Sequence, residues 1–537
     1  MIDLRTALSV MSNASPYAVS TLRKDEEVDS LLIVKNYLYI TPQIETDFKS
    51  ALKEHKLGDI YYLCGSSGDG KSEILTNIYK EFYSQIDFHL DATHSKGQHS
   101  SAIECLDDLY DRYKSTQKAL AIGINIGMMQ KFIKYGASRH QDIKETLDEF
   151  FKNRHIKAFK QGNAQFFDFE CYPRITFSNE KISSEFITDF LNNLTAEKNK
   201  NPFWVAYLEE KTVNSVLSKN FEILSRPAFK DSLVELFGLT RLYDEQFLTP
   251  RTFVDYIYQI LTLENPDGIV GNIFSKFDNE LSHKLSSIDP NGNREKSLDD
   301  FYLAYATKTL SNELLQDIEL LRQKSGLRLS AQGVVQLGYM LREDELLQHL
   351  PSELKYKSKQ LEKQYYLALI DIFSKENLDK KDEDTFFDIV EDVLVKAIFT
   401  YANRKLKSSN TSYIVSREVN QFIICNKSDI QADLDWVERH HLLSTDFLPI
   451  PIIVNGKPPL IFDLDLNTLS LAISICDGFK PNRHQLGVLT KFDELVAHVI
   501  QKTSDSDSMK IFNQRSANHS SSLVTKSSRR FMVEGEL

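Results

Sequence analysis

The chain has 537 residues, of which 42% are hydrophobic and 26% charged, and its formal net charge is −12. The length exceeds one ordinary core and predicts about three or four domains, while the composition is that of a globular chain rather than a fibrous or disordered one. The acidic balance excludes a protein that grips nucleic acid along a broad basic face of its own.

Residues 1–50 read as an N-terminal extension: a short helical start, then the apolar "LLIVKNYLYITP", stopped by Thr41 and Pro42. "QIETDFKSALKEH" follows as an amphipathic helix through Ile44, Phe48 and Leu52. "GDIYYLC" (58–64) reads as a buried strand, and "KSEILTNIYKEFY" (71–83) as a helix with Ile74, Leu75, Ile78, Tyr79 and Phe82 on one face. "DFHLDATHS" (87–95) is a short strand, "AIECLDDLYDRY" (102–113) a helix and "KALAIGINIG" (118–127) a third strand. A charged helical region leads to "AQFFDFECYPRITF" (164–177), a fourth strand expected to end near Pro173. Strand and helix therefore alternate from about 58 to 177, the signature of a parallel sheet with helices on both faces.

"FLTPRTFVDYIYQILT" (247–262) is a helix with Pro250 in its first turn. Residues 266–435 read as mainly helical, most clearly at 386–406, where Phe386, Ile389, Val390, Val393, Leu394, Ala397 and Ile398 recur at helical spacing. In the tail, Asn455-Gly456 within "FLPIPIIVNGKPPLIFDLDL" predicts a hairpin turn. The helix "DELVAHVIQK", a Ser-rich stretch and "RRFMVEG" complete it. The expected organisation is an extension (1–50), an α/β P-loop NTPase core of AAA-like type with a helical lid (51–265), a helical domain (266–438) and a small α+β C-terminal domain (439–537).

Between the first strand and its helix stands "GSSGDGKS", which matches G-x-x-x-x-G-K-[ST]. Gly65, Gly68 and Gly70 permit backbone angles closed to other residues, so the loop from Gly65 through Ser66, Ser67, Gly68, Asp69 and Gly70 can wrap a phosphate chain with its N–H groups. The helix that follows offers unsatisfied N–H donors and a partial positive end to the same anion. Lys71, read as exposed, adds a full charge for the β and γ phosphates, and Ser72 a hydroxyl ligand for Mg²⁺. The expected ligand is ATP with Mg²⁺.

Hydrolysis needs, in addition, an acid to hold the metal's water shell and a group to orient the attacking water. Three places qualify: Asp91 after "DFHL", Asn125 after "ALAIGI", and Asp168 with Glu170 in "FFDFE". In the favoured arrangement Asp91 holds the metal together with Ser72, and Asn125 senses the γ-phosphate; in the other, Asn125 falls where the acid should be. Asp168 and Glu170 read more simply as polar residues that cap a strand end at the surface. Arg251, at the start of a late helix, is a candidate to stabilise charge that develops on the phosphates. His89, His94 and His99 have poor spacing for a metal site and are assigned none.

"CGSSGDGKSEIL", "DFHLDATHS", "AIGINIGM", "FFDFECYPR" and "LTPRTFVDYIY" together resemble the DptF (DndF-type) family of DNA phosphorothioation-dependent restriction proteins. "SPYAVSTLR" near the start looks similar too, and the resemblance is densest from about 15 to 265. It implies an ATP-binding component of a bacterial defence complex, which acts with DptG and DptH against invading DNA that lacks the sulfur modification. It carries over to Gly65 through Ser72 as nucleotide-binding positions. DNA contact would be local, at clusters such as "RKLK" (404–407) and "SSRR" (527–530), or made through the companions. No nuclease signature stands in this chain.

No apolar run approaches the ~20 residues needed to cross a bilayer. The first residues lack the pattern of a secretory signal. Cys64, Cys105, Cys171, Cys425 and Cys476 are scattered without a CxxC, as in a reduced, cytoplasmic protein. Two functional classes stand: an ATPase that drives or licenses restriction, and a nucleotide-gated scaffold with little or no hydrolysis. A kinase reading has no acceptor-site signature in its favour.

Overall fold

The computed structural model describes residues 2–17, 30–90, 102–178, 181–244, 248–292, 296–342, 344–355, 361–375, 377–406, 412–440, 447–479, 486–513, 521–527 and 530–535. The chain forms two compact units. The first comprises Met1–Thr176, Ser183–Thr240 and Phe247–Lys357; the second comprises Phe177–Ile182, Arg241–Gln246 and Ser358–Leu537. The expected edges at 265/266 and 438/439 fall inside the first and second unit respectively.

The first unit is built on a five-stranded sheet of β1 (Ile60–Gly65), β2 (Ile86–His89), β3 (Ala119–Asn125), β4 (Lys160–Gln161) and β5 (Ala164–Asp168). Their spatial order is β2-β3-β1-β5-β4. The β2–β3, β3–β1 and β1–β5 pairs are parallel, and only the edge strand β4 is antiparallel. Parallel neighbours need crossover connections, which the helices Lys71–Phe82, Ala102–Thr116, Ile126–Tyr135 and Gln141–Lys152 supply.

Side chains alternate across β1. Ile60, Tyr62 and Cys64 pack in one apolar cluster with Leu106, Tyr110, Phe132 and Leu147. Tyr61 and Leu63 pack in another with Phe48, Ile74, Leu75 and Ile78. Both faces of the sheet are thus covered, and β1 is buried over all six residues. Within the first cluster the Phe166 ring lies between those of Tyr62, at 4.6 Å, and Phe150, at 4.5 Å.

The fourth parallel strand stops at Asp168, five residues short of the expected end at Pro173, because Asp168 caps a short 3₁₀ turn over Phe169–Cys171. A pair of short strands follows, β6 (Thr176–Ser178) and β7 (Lys181–Ser183). Most of that strand pair, Phe177–Ile182, belongs to the second unit; beyond the sheet the first unit is mainly helical, including Glu185–Thr195, Pro202–Val213, Asn312–Ser325 and Ala331–Leu341. The Pro250–Thr262 helix has Pro250 at its start, as the sequence predicts, and Thr249 caps it.

The second unit carries helices Leu361–Ser374, Leu466–Cys476 and Leu486–Lys502, and a continuous run from Lys380 to Ala402 with a π-helical turn at Val390–Val395. Two antiparallel sheets accompany them. β10 (Ile430–Ala432), β11 (Leu448–Val454) and β12 (Leu460–Leu464) form one. The other joins β8 (Tyr413–Val419) and β9 (Phe422–Lys427) to β13 (Ser508–Asn513), β14 (Ser521–Ser527) and β15 (Arg530–Glu534). The sequence expectation of helix through 435 fails at 413–432, which is strand. There the pairing partner of β9 is β13, over eighty positions away in the chain. The hairpin at Asn455-Gly456 forms, with both residues at positive φ. All five cysteines are free thiols. Among the described residues no helix is long and apolar enough to cross a membrane.

Replacing Phe166 by Ala removes the middle ring of a stack in a site that is 1% exposed. The expected loss is about 3–5 kcal/mol, read as a roughly 100-fold or greater acceleration of amide hydrogen exchange in β1 and β5. An acceleration below about tenfold would show that the stack does not hold the sheet together.

Candidate functional site

β1 ends at Gly65 and the next helix begins at Lys71, so the chain reverses from buried strand to helix within five residues. Gly68 and Gly70 make that possible with φ of 84° and 97°, a left-handed region that disfavours side chains. Gly70 occupies the N-cap of the helix and has no side chain to cap it. The first-turn N–H groups therefore lack side-chain acceptors from the cap, and they carry the positive end of the helix dipole.

Lys71 is only 6% exposed, contrary to the sequence reading of an exposed lysine. Its ammonium folds back over the loop and donates to the Ser66 carbonyl at 2.6 Å. Asp69 shapes the same loop from the other side: its carboxylate accepts from the Ser66 N–H at 2.5 Å and pairs with Arg174 at 3.3 Å. Arg174 also donates to the Asp69 carbonyl at 2.7 Å and to the Leu248 carbonyl at 3.4 Å. Its guanidinium lies over the rings of Phe169 and Phe186. Burial lowers the Arg174 pKa from its ordinary value, and the Asp69 charge opposes the shift. Thr249, the cap of the Pro250–Thr262 helix, approaches Gly68 so closely that an added Cβ would sit 3.2 Å from its Oγ1.

These elements border a cavity of about 530 Å³. Ser67 through Ser72 line it, as do Asn125 and Arg251. The structure thus gathers Lys71, Ser72, Asn125 and Arg251 around one space. Asn125 ends β3 in register with Gly65, and its side chain makes no cap bond to the helix that follows. Lys35, Lys71, Arg174 and Arg251 set four cations against two lining carboxylates, Asp69 and Glu73. Glu73 pairs with Lys35 at 2.9 Å. The balance favours an anion.

Asp168 and Glu170 do not belong to this space. The Asp168 carboxylate is buried in an ion pair with Arg154, and Glu170 meets the same guanidinium at 2.6 Å. Glu170 is exposed at the strand end, as the simpler reading expects, but Asp168 is 2% exposed and buried in that pair rather than at the surface. Asp91, His94 and His99 lie outside the described residues, and His89 closes β2. Among the described residues no group of three or more His, Cys, Asp or Glu is arranged to hold a metal ion. Arg174, Asp69's partner, was not singled out by the sequence. It stands in "ECYPRITF", read there as strand, and nothing local marks an arginine that reaches a loop about a hundred positions upstream.

No protein-family model matches this chain, and no curated protein or solved structure matches it either.

Arg174→Ala would leave the Asp69 carboxylate largely buried, at 11% side-chain exposure, without its partner. The expected destabilisation is about 3 kcal/mol in thermal or urea unfolding, and adding Asp69→Asn to it should recover part of the loss. Strictly additive losses in the double variant would show that the two side chains are not coupled.

Proposed function

We propose that this chain binds a magnesium nucleoside triphosphate, ATP, at Gly65–Ser72 and serves as the ATP-binding, and hydrolysing, component of a DNA phosphorothioation-dependent restriction complex. The observation that carries the nucleotide reading is the turn at the end of β1. A buried parallel strand passes through two left-handed glycines into a helix whose uncapped N-terminus faces a cation-rich cavity. That arrangement supports the reading of a P-loop NTPase core. The restriction role rests on the sequence resemblance to the DptF family, with DptG and DptH as companions that complete DNA contact and cleavage.

The chain's own groups divide the work. The loop N–H groups cradle the phosphates, and Lys71 places its charge beside them. Ser72 is the hydroxyl available to a magnesium ion, and Asp91 the carboxylate proposed to hold that ion's waters. Bound magnesium supplies neutralisation of charge on the phosphate oxygens. Asn125, a neutral amide one strand from the loop, suits orientation of water or phosphate by hydrogen bonds better than metal ligation. Arg251 lines the same cavity beside Gly68, at the start of the Pro250–Thr262 helix, where a cation stabilises charge that develops on transfer.

One observation favours a second reading, a nucleotide-gated scaffold with little hydrolysis. Among the described residues, the two carboxylates that line the cavity, Asp69 and Glu73, are ion-paired with Arg174 and Lys35. An acid already committed to a cation is a poor holder of a metal's waters, so turnover would depend on Asp91.

Lys71→Ala is expected to abolish the heat of ATP binding in calorimetry, and with it ATP turnover and restriction of unmodified DNA in cells that supply the companions. Restriction undiminished by this change would sink the ATPase reading. Asp91→Ala separates the two readings, since binding without turnover supports the hydrolytic site and unchanged turnover rejects Asp91 as its acid.

A further inference from the structure

The loop accounts for one side of the cavity only. Much of the remaining lining is apolar and comes from two distant stretches: Met11, Leu38 and Ile40 of the N-terminal extension, and Phe186 and Val254 of the helical part of the same unit. A phosphate chain gains nothing from such a wall. Specific small-molecule sites pair a mainly apolar enclosure with a few convergent polar groups, in volumes of roughly 300–1,000 Å³, and this cavity has about 530 Å³.

The wall is held in place by polar contacts among the residues that line the cavity and their neighbours. The backbone N–H of Asn13 donates to Asp255 Oδ1 at 2.8 Å. Asp255 is 2% exposed and also accepts from Gln259 at 2.8 Å and from Asn279 at 2.9 Å. That fixes the 10–13 stretch against the Pro250–Thr262 helix. The Lys35–Glu73 pair ties the 30–37 helix to the first turn of the helix that begins at Lys71. Tyr39 donates a hydrogen bond to Glu45 and fixes the turn into the next helix. The extension is therefore a built part of the cavity, positioned on both of the helices that border the loop.

We propose that this apolar wall is the seat of the nucleobase, so that the N-terminal extension, through Met11 and Ile40, makes the site select a nucleotide over a bare polyphosphate. The seat rests on the nucleotide reading of the loop and deepens it. The aromatic ring of the base would displace water from Ile40 and Val254, both half-buried and lining the same cavity, while the phosphates lie against Ser67–Ser72.

The test compares magnesium ATP with magnesium tripolyphosphate in calorimetry on the full chain. Wild-type protein is expected to bind ATP at least about tenfold more tightly than tripolyphosphate, a difference of ~1.4 kcal/mol. Ile40→Asn and, independently, Val254→Asn should erase that preference while leaving tripolyphosphate affinity within about twofold, which also shows that the variants are folded. Lys71→Ala should weaken both probes. Equal wild-type affinity for the two probes overturns the seat and leaves the loop reading intact. Binding of neither probe overturns both. A preference for ATP that survives both Asn substitutions, or loss of both probes in both variants, overturns the seat.

Discussion

Strand β1 is buried from Ile60 to Gly65, with helices on both faces of its sheet and a parallel neighbour on each side. A strand enclosed in this way can meet a ligand only where the chain leaves it. In open parallel sheets that exit lies at the carboxyl end, where the connections diverge and a crevice opens. The candidate site of this protein follows from that constraint. The chain must turn within a few residues, the turn requires glycines at positive φ, and the helix beyond it brings an uncapped N-terminus to the crevice.

The strand ends around that crevice differ in electrostatic character. β1 offers backbone, β3 the neutral amide of Asn125, and β5 a carboxylate already neutralised by Arg154. Burial first, and the Asp168 charge second, push the neighbouring Cys64 thiol well above its usual range, which keeps it protonated and inert. The loop is shaped by a second largely buried pair, Asp69 with Arg174. Such pairs cost desolvation energy that their attraction only partly offsets, and their usual return is a defined geometry rather than stability. Here that geometry is a cradle with Lys71 folded onto it.

The second unit follows a different logic. Its larger sheet brings β8 and β9 together with strands from the last thirty residues of the chain. Sheets of this kind depend on pairing between distant segments, so their strands carry weaker local signatures than helices do.

The sequence by itself determined the alternation of β1, β2, β3 and β5 with their helices, the Pro250 start of a helix, the Asn455-Gly456 hairpin and the loop at Gly65–Ser72. Each rests on information within a few residues: a period of two or 3.6, a proline that fixes φ, a glycine that frees it. Only the tertiary structure decided that Lys71 is buried, that Arg174 clasps Asp69, that Asp168 is consumed by Arg154, and that 413–432 is strand. Only there does residue 40 reach the same cavity as residue 254. These are contacts between segments far apart in the chain, whose energies come from burial and charge pairing after the fold has formed, and no local pattern encodes them.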